Sequence, residues 1–174
     1  YQNSPDNVLL LSDHVYQYDL NKHTFQIVTE QEGEDIIGTL LPITNHEKYT
    51  YLNDIKHIYE LDKENNRLTS LFRCFKDTII NSVARDENGD FWIGSNYGLI
   101  HYNSVTKVRT PFTTSLFTEV TLIACDQQGK VWIGTNDMLF AWLIKEKKFV
   151  LFGESDGAIQ NEYLSKPRLL SRHG

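Results

Sequence analysis

Asp86-Glu87-Asn88-Gly89-Asp90-Phe91-Trp92-Ile93-Gly94-Ser95-Asn96 returns 40 residues later, without a gap, as Asp126-Gln127-Gln128-Gly129-Lys130-Val131-Trp132-Ile133-Gly134-Thr135-Asn136. A self-match at this period marks an array of one small supersecondary unit. Asn88-Gly89 is a two-residue hairpin signal between Ser82–Asp86 and Asp90–Ser95. Asn96-Tyr97-Gly98 turns the chain again, Leu99–Asn103 follows as a third strand, and a fourth lies around Val108–Phe112. The second copy repeats the order with Thr121–Asp126, Val131–Thr135, Met138–Leu143 and Lys148–Phe152. Four short antiparallel strands in about 40 residues describe one blade of a β-propeller.

Two weaker copies precede these. Val15-Tyr16-Gln17-Tyr18-Asp19 and Ile58-Tyr59-Glu60-Leu61-Asp62 align with Leu99-Ile100-His101-Tyr102-Asn103 and Leu139-Phe140-Ala141-Trp142-Leu143, and Tyr49–Leu52 replaces the Trp-Ile-Gly strand. The expected fold is all-β: a propeller fragment with blades at about 6–30, 36–75, 79–114 and 119–152, and the start of a fifth at 159–174. Gly89 and Gly129 supply positive φ in the hairpin turn. Gly94 and Gly134 leave room for a close neighbour. Trp92 and Trp132 fill the wedge between sheets or offer a stacking platform for sugars, and packing is the favoured reading.

Composition narrows the partners. The chain has 174 residues, 40% of them hydrophobic and 12% aromatic, which suits strands of a soluble domain. Its net charge of −6 argues against a nucleic-acid partner and against direct contact with an anionic membrane. No apolar run reaches the roughly 18 residues of a membrane span. Cys74 and Cys125 lie in apolar strand-like stretches and read as small buried hydrophobes.

Chemistry is sparse. His14, His23, His46, His57, His101 and His173 form no zinc-type spacing. No nucleophile elbow, phosphate loop or dinucleotide fingerprint occurs. No catalytic residue, cofactor or metal is therefore expected. Asp13, Asp54 and Asp137 follow second-strand segments on one rim, where they serve as turn formers or, less simply, as cation ligands. With His57 and Tyr97 they are the candidate ligand-binding residues at the rim.

The Asp-x-x-Gly-x-[Phe/Val]-Trp-Ile-Gly-[Ser/Thr]-Asn phrase, with Gly98-Leu99-Ile100-His101-Tyr102-Asn103 after it, resembles the two-component regulator propeller repeat. That repeat is found in periplasmic sensor regions of hybrid two-component systems of gut Bacteroidetes. Gly153–Tyr163 is similar to the family's inter-blade phrase. The resemblance implies a periplasmic sensor segment that is not an enzyme, in a parent anchored in the inner membrane and carrying a histidine kinase. It implies a glycan-type ligand bound through the complete sensor, and contact with remaining propeller blades or a second copy of the chain. The alternatives are a lyase- or hydrolase-type propeller, which needs His and carboxylates gathered at the channel mouth, and a purely protein-interaction propeller.

Overall fold

The computed structural model describes residues 2–4, 7–12, 14–30, 36–45, 48–112, 114–126 and 128–158. Asp13 and the expected fifth-blade start at 159–174 lie outside the described residues. Two compact units divide the chain at Asp77/Thr78.

In the first unit, β1 (Gln2–Ser4), β2 (Asn7–Leu11), β3 (Val15–Asp19) and β4 (Thr24–Ile27) form an antiparallel meander. The second sheet holds β6 (Leu41–Asn45), β7 (Tyr49–Asn53), β8 (His57–Asp62) and β9 (Arg67–Arg73) in the same order. The short β5 (Thr29–Glu30) pairs parallel to β9 on the outer edge of this sheet, although its residues fall within the limits expected for the first blade. Alternation along β2 and β3 turns Leu9 and Val15 inward, where they meet Leu52, Tyr59, Leu61 and Leu68 of the second sheet.

The second unit carries the two clear repeats. Its third sheet is β10 (Ile80–Arg85), β11 (Phe91–Ser95), β12 (Gly98–Tyr102) and β13 (Arg109–Phe112). Its fourth is β14 (Leu122–Cys125), β15 (Lys130–Gly134), β16 (Leu139–Leu143) and β17 (Lys148–Phe152), followed by a 3-10 turn at Glu154–Asp156. These sheets share one core, in which Trp92 and Leu99 pack with Phe117, Val120, Ile123, Val131, Ile133 and Phe140. The all-β propeller architecture expected from the repeat is thus observed as a series of four-strand meanders.

The motif residues act as the chemistry of the hairpin requires, with one correction. The β10–β11 turn holds three residues, not two: Asp86 N–H bonds Asp90 O at 2.9 Å and Gly89 N–H bonds Asp86 O at 3.0 Å. The cause is the Asp86 carboxylate, whose Oδ1 accepts from Asn88 N–H at 2.9 Å and Asp90 N–H at 3.0 Å. Capturing Asp90 N–H widens the loop by a residue and leaves positive φ at Gly89 alone, +85°. Asp86 Oδ2 also accepts the Trp92 indole N–H at 2.9 Å, so one side chain fixes both the turn and the wedge. Asp126 repeats the arrangement on Gln128 N–H, Lys130 N–H and Trp132 Nε1 at 2.8, 2.9 and 3.0 Å.

Gly94 is required by a close approach. A Cβ there would lie 2.7 Å from Val120 Cγ1 and 3.1 Å from Val120 O. Val120 is pinned, since its N–H bonds Ser95 O at 3.0 Å and its carbonyl accepts from Asn81 Nδ2 at 3.0 Å. Gly94→Ala should therefore destabilise the second unit by about 1–3 kcal/mol through overpacking. A shift in the denaturation midpoint at unchanged slope is the measurement.

The third-to-fourth-strand turn recurs in every sheet. Asp19, Asp62 and Asn103 each accept backbone N–H groups two and three residues on, at 2.7 to 3.2 Å. Four residues after each stands a left-handed residue: His23, Asn66 and Lys107, with φ of 54°, 52° and 61°. Lys147, at 51°, holds the same place after Leu143, where no side-chain acceptor is present.

Candidate functional site

The rim candidates separate into buried and exposed groups. Asp54 and His57 are each 1% exposed, in the turn from β7 into β8. Asp54 Oδ1 accepts Lys56 N–H and His57 N–H, both at 2.6 Å. Its Oδ2 accepts Ile37 N–H at 2.7 Å and the Tyr59 hydroxyl at 3.1 Å, and the His57 Nδ1 position lies at 3.0 Å. Burial pushes the Asp54 carboxyl up, but these hydrogen bonds, led by Ile37 N–H and the His57 ring, outweigh it and hold the group below 3.8. The carboxylate is saturated with donors from its own chain. An Asp orienting a His is half of an acid–base relay, but here both are enclosed, and the geometry serves to lock the Ile37 strand-entry segment onto the second sheet.

Tyr97 and Asp137 stand in the second-to-third-strand turns of the second unit and reach solvent; Tyr97 is 68% exposed. The turns beneath them are stiff. Ser95 Oγ donates to Gly98 O at 2.9 Å and accepts Tyr97 N–H at 3.2 Å. Thr135 Oγ1 accepts Met138 N–H at 3.0 Å and lies 3.2 Å from Asp137 Oδ1. Asn96 Oδ1 accepts Ile79 N–H at 2.7 Å, tying the segment that enters the third sheet to the same turn. Tyr97 is thus an outward aromatic on a fixed support.

One cluster went unnoticed in the sequence. Asp86, Asp90 and His101 bring ligand-type atoms within 4.8 Å of one another. The signal for it was register: His101 is directly opposite Trp92 in the β11–β12 ladder, and Asp90 precedes that strand. The oxygens are already engaged. Asp86 holds the turn and the indole, while Asp90 accepts from Ser104 N–H at 2.9 Å, Asn103 Nδ2 at 2.9 Å and His101 Nε2 at 3.1 Å. The His101 ring also packs, tilted, against Trp92 with ring centroids 4.4 Å apart. The set reads as a hydrogen-bonded clamp between the two hairpins of the third sheet and needs no ion to complete it.

Neither cysteine forms a disulfide. Cys74 is buried, and burial, with the Asp86 and Asp126 charges beside it, pushes the Cys125 thiol up to about 12. Cys125 should therefore resist iodoacetamide at pH 8 in the folded chain and react only on unfolding, as peptide mass mapping would show.

Residues 74–97 and 115–137 match the family model described as two component regulator propeller. No curated protein sequence matches the chain. Among solved structures, the chain is similar to extracellular domains assigned to hybrid two-component systems of B. thetaiotaomicron. One has 16% identity and a TM-score of 0.66 over 92% of this chain and 22% of its own; a second has 16% and 0.59 over 91% and 22%. The RRP9 WD40 repeats are similar at 12% identity with a TM-score of 0.61, over 84% of this chain and 47% of theirs. The chain thus spans between about a fifth and a half of the structures it resembles. Among the described residues no helix is long and apolar enough to cross a membrane.

Proposed function

Because the chain carries the two-component regulator propeller repeat in its third and fourth sheets, we propose that it is an extracytoplasmic, ligand-receiving propeller segment of a hybrid two-component sensor. The ligand class is carbohydrate, and the segment binds without catalysing a reaction. The observation that carries this reading is the pair of family repeats, each built as an Asp clamp that fixes hairpin and indole together. Such a scaffold is rigid where it packs and open where its turns face solvent, as a receptor surface demands. The extracellular domains it resembles support placement outside the cytoplasm.

Within this reading the turn residues that reach solvent, Tyr97 foremost, meet the sugar, whereas Asp54 and His57 keep the scaffold in shape. A panel of oligosaccharides added to the complete sensor should raise its melting temperature for the cognate glycan, since a ligand that binds only the native state stabilises it. Tyr97→Ala should weaken that binding about tenfold, or ~1.4 kcal/mol, by removing a stacking face. Absence of any thermal shift or calorimetric heat across the panel would refute the carbohydrate reading. Turnover of a glycan that stops on adding a chelator would instead favour the lyase-type alternative.

A further inference from the structure

Charge is sorted along the strands of the second unit. One end of its two sheets carries the second-to-third-strand turns and the connections into and out of each sheet; the other carries the first-to-second and third-to-fourth-strand turns. Among the described residues of this unit, every Lys and Arg falls at the latter end. Arg85 and Lys130 flank the first-to-second-strand turns, and Lys107, Arg109, Lys145, Lys147 and Lys148 lie at the third-to-fourth-strand corners. Carboxylates such as Asp86 and Glu146 stand among them, so that end carries both signs. The end that presents Tyr97 holds Glu119, Asp137, Glu154 and Asp156 and, among the described residues of the unit, no cation. Lys76, three residues before Ile79, belongs to the first unit.

The acidic end is also apolar. Ile79, Leu116 and Met138 are 40%, 47% and 40% exposed there, beside Tyr97. Hydrogen bonds join the segments that carry them into one surface: Asn96 Oδ1 accepts Ile79 N–H, Val120 N–H bonds Ser95 O at 3.0 Å, and Thr121 N–H bonds Gly134 O at 2.9 Å. Glu119 therefore stands between the two second-to-third-strand turns. Its Oε1 accepts Asn81 Nδ2 at 3.2 Å, Asp137 Oδ1 accepts the Thr135 hydroxyl at 3.2 Å, and Asp156 Oδ2 accepts Gly153 N–H at 3.0 Å. These donors are neutral and leave the carboxylate charges uncompensated.

Resting on the carbohydrate reading above, we propose that this end of the second unit receives an uncharged oligosaccharide and turns away uronates and sulfate esters. An uncharged sugar suits both halves of the surface. Its C–H faces lie on Tyr97 and the apolar side chains, while its hydroxyls donate to carboxylate and backbone oxygens. An anionic glycan asks for different equipment. Anionic oxygens are gripped by Arg and Lys through charge-assisted and often bidentate hydrogen bonds, and neither residue stands at this end of the unit. Like charges brought together across a contact repel, which is how a surface rejects the wrong partner. Glu119, Asp137, Glu154 and Asp156 are thus the specificity-determining groups, acting through repulsion. Because the charges are exposed or half-exposed, their repulsion is screened by salt, over about 8 Å at physiological ionic strength.

Calorimetry on the complete sensor tests it with a panel in which each backbone is present with and without charge. The pairs are oligogalacturonate and its full methyl ester, and malto-, xylo- and galacto-oligosaccharides and their sulfate esters. The tightest binder should be an uncharged member, and its charged form should bind at least about tenfold more weakly at low salt. That gap should shrink at about 0.5 M salt, where the uncharged form binds as before. Asp137→Asn combined with Glu154→Gln should cut the discrimination at low salt at least about threefold. The discrimination is a ratio, so contacts that both forms lose cancel from it. A uronate or sulfate ester as the tightest binder overturns the proposal and leaves the carbohydrate reading standing. So does discrimination that neither salt nor the double substitution changes, which traces to the bulk of the added group. Binding by no member in either form refutes the carbohydrate reading itself, and this proposal falls with it.

Discussion

Trp92→Ala should lower the stability of the second unit by about 3–5 kcal/mol, the range for emptying an aromatic site in a packed core. The indole is buried, packs against the tilted rings of His101 and Phe112, and lies in the core shared by the third and fourth sheets. Its removal leaves a cavity and also strips Asp86 Oδ2 of the indole donor. Trp92→Phe separates these effects. It keeps most of the apolar volume and loses the hydrogen bond to the carboxylate, so about 1–3 kcal/mol of the deficit should remain. Trp132→Ala, although the same residue of the repeat, should cost less, because Trp132 is half-buried. Urea titrations of the three variants, compared by midpoint at a shared slope, check the order. A Trp132→Ala loss equal to that of Trp92→Ala would contradict the unequal burial of the two repeats.

Asp54→Ala is expected to destabilise the first unit by about 3–5 kcal/mol, as for removing one partner from a buried charged network. Three backbone N–H groups, the Tyr59 hydroxyl and the His57 ring would lose their common acceptor. Asp54→Asn should cost less, since one amide oxygen still accepts while the amide N–H₂ faces donors. The same carboxylate makes the unit sensitive to acid. Its pKa is held below 3.8 in the folded state, so its stabilising effect is complete well above the unfolded value. That effect is lost as the pH falls through the folded value. Stability of the wild-type chain should therefore decline more steeply below about pH 4 than that of Asp54→Asn, in which this group cannot titrate. Parallel pH profiles for the two would show that the network does not hold the ionised form.

The repeat was readable because its parts act locally. Glycine at a fixed place in a turn, an indole three residues on and a second glycine two further leave a pattern that spacing alone reveals. The role of Asp86 and Asp126 was less visible. An aspartate before a turn has a common local use, and nothing in its spacing shows that the same carboxylate also reaches a tryptophan six residues away. The Asp86 Oδ1 bond to Asp90 N–H is equally hidden, and that bond is why the hairpin is one residue longer than the Asn-Gly pair suggests. The Asp54 network depends on Ile37, 17 residues away, whose N–H is delivered by the path of the chain into β6. A polar residue placed after a second strand resembles any rim ligand until that distant donor is known. The pairing of β5 with β9 was equally hidden, since two residues carry no period.

The left-handed residues at His23, Asn66, Lys107 and Lys147 have a practical consequence. None is glycine, so this conformation is imposed by the surrounding hairpin and tolerates varied side chains. The residues on either side are largely exposed and contribute little to either hydrophobic core. These outer corners are therefore natural points for grafting an epitope tag or a fluorophore-bearing loop, because the added chain projects into solvent and closing a longer loop adds only a slowly growing entropic penalty.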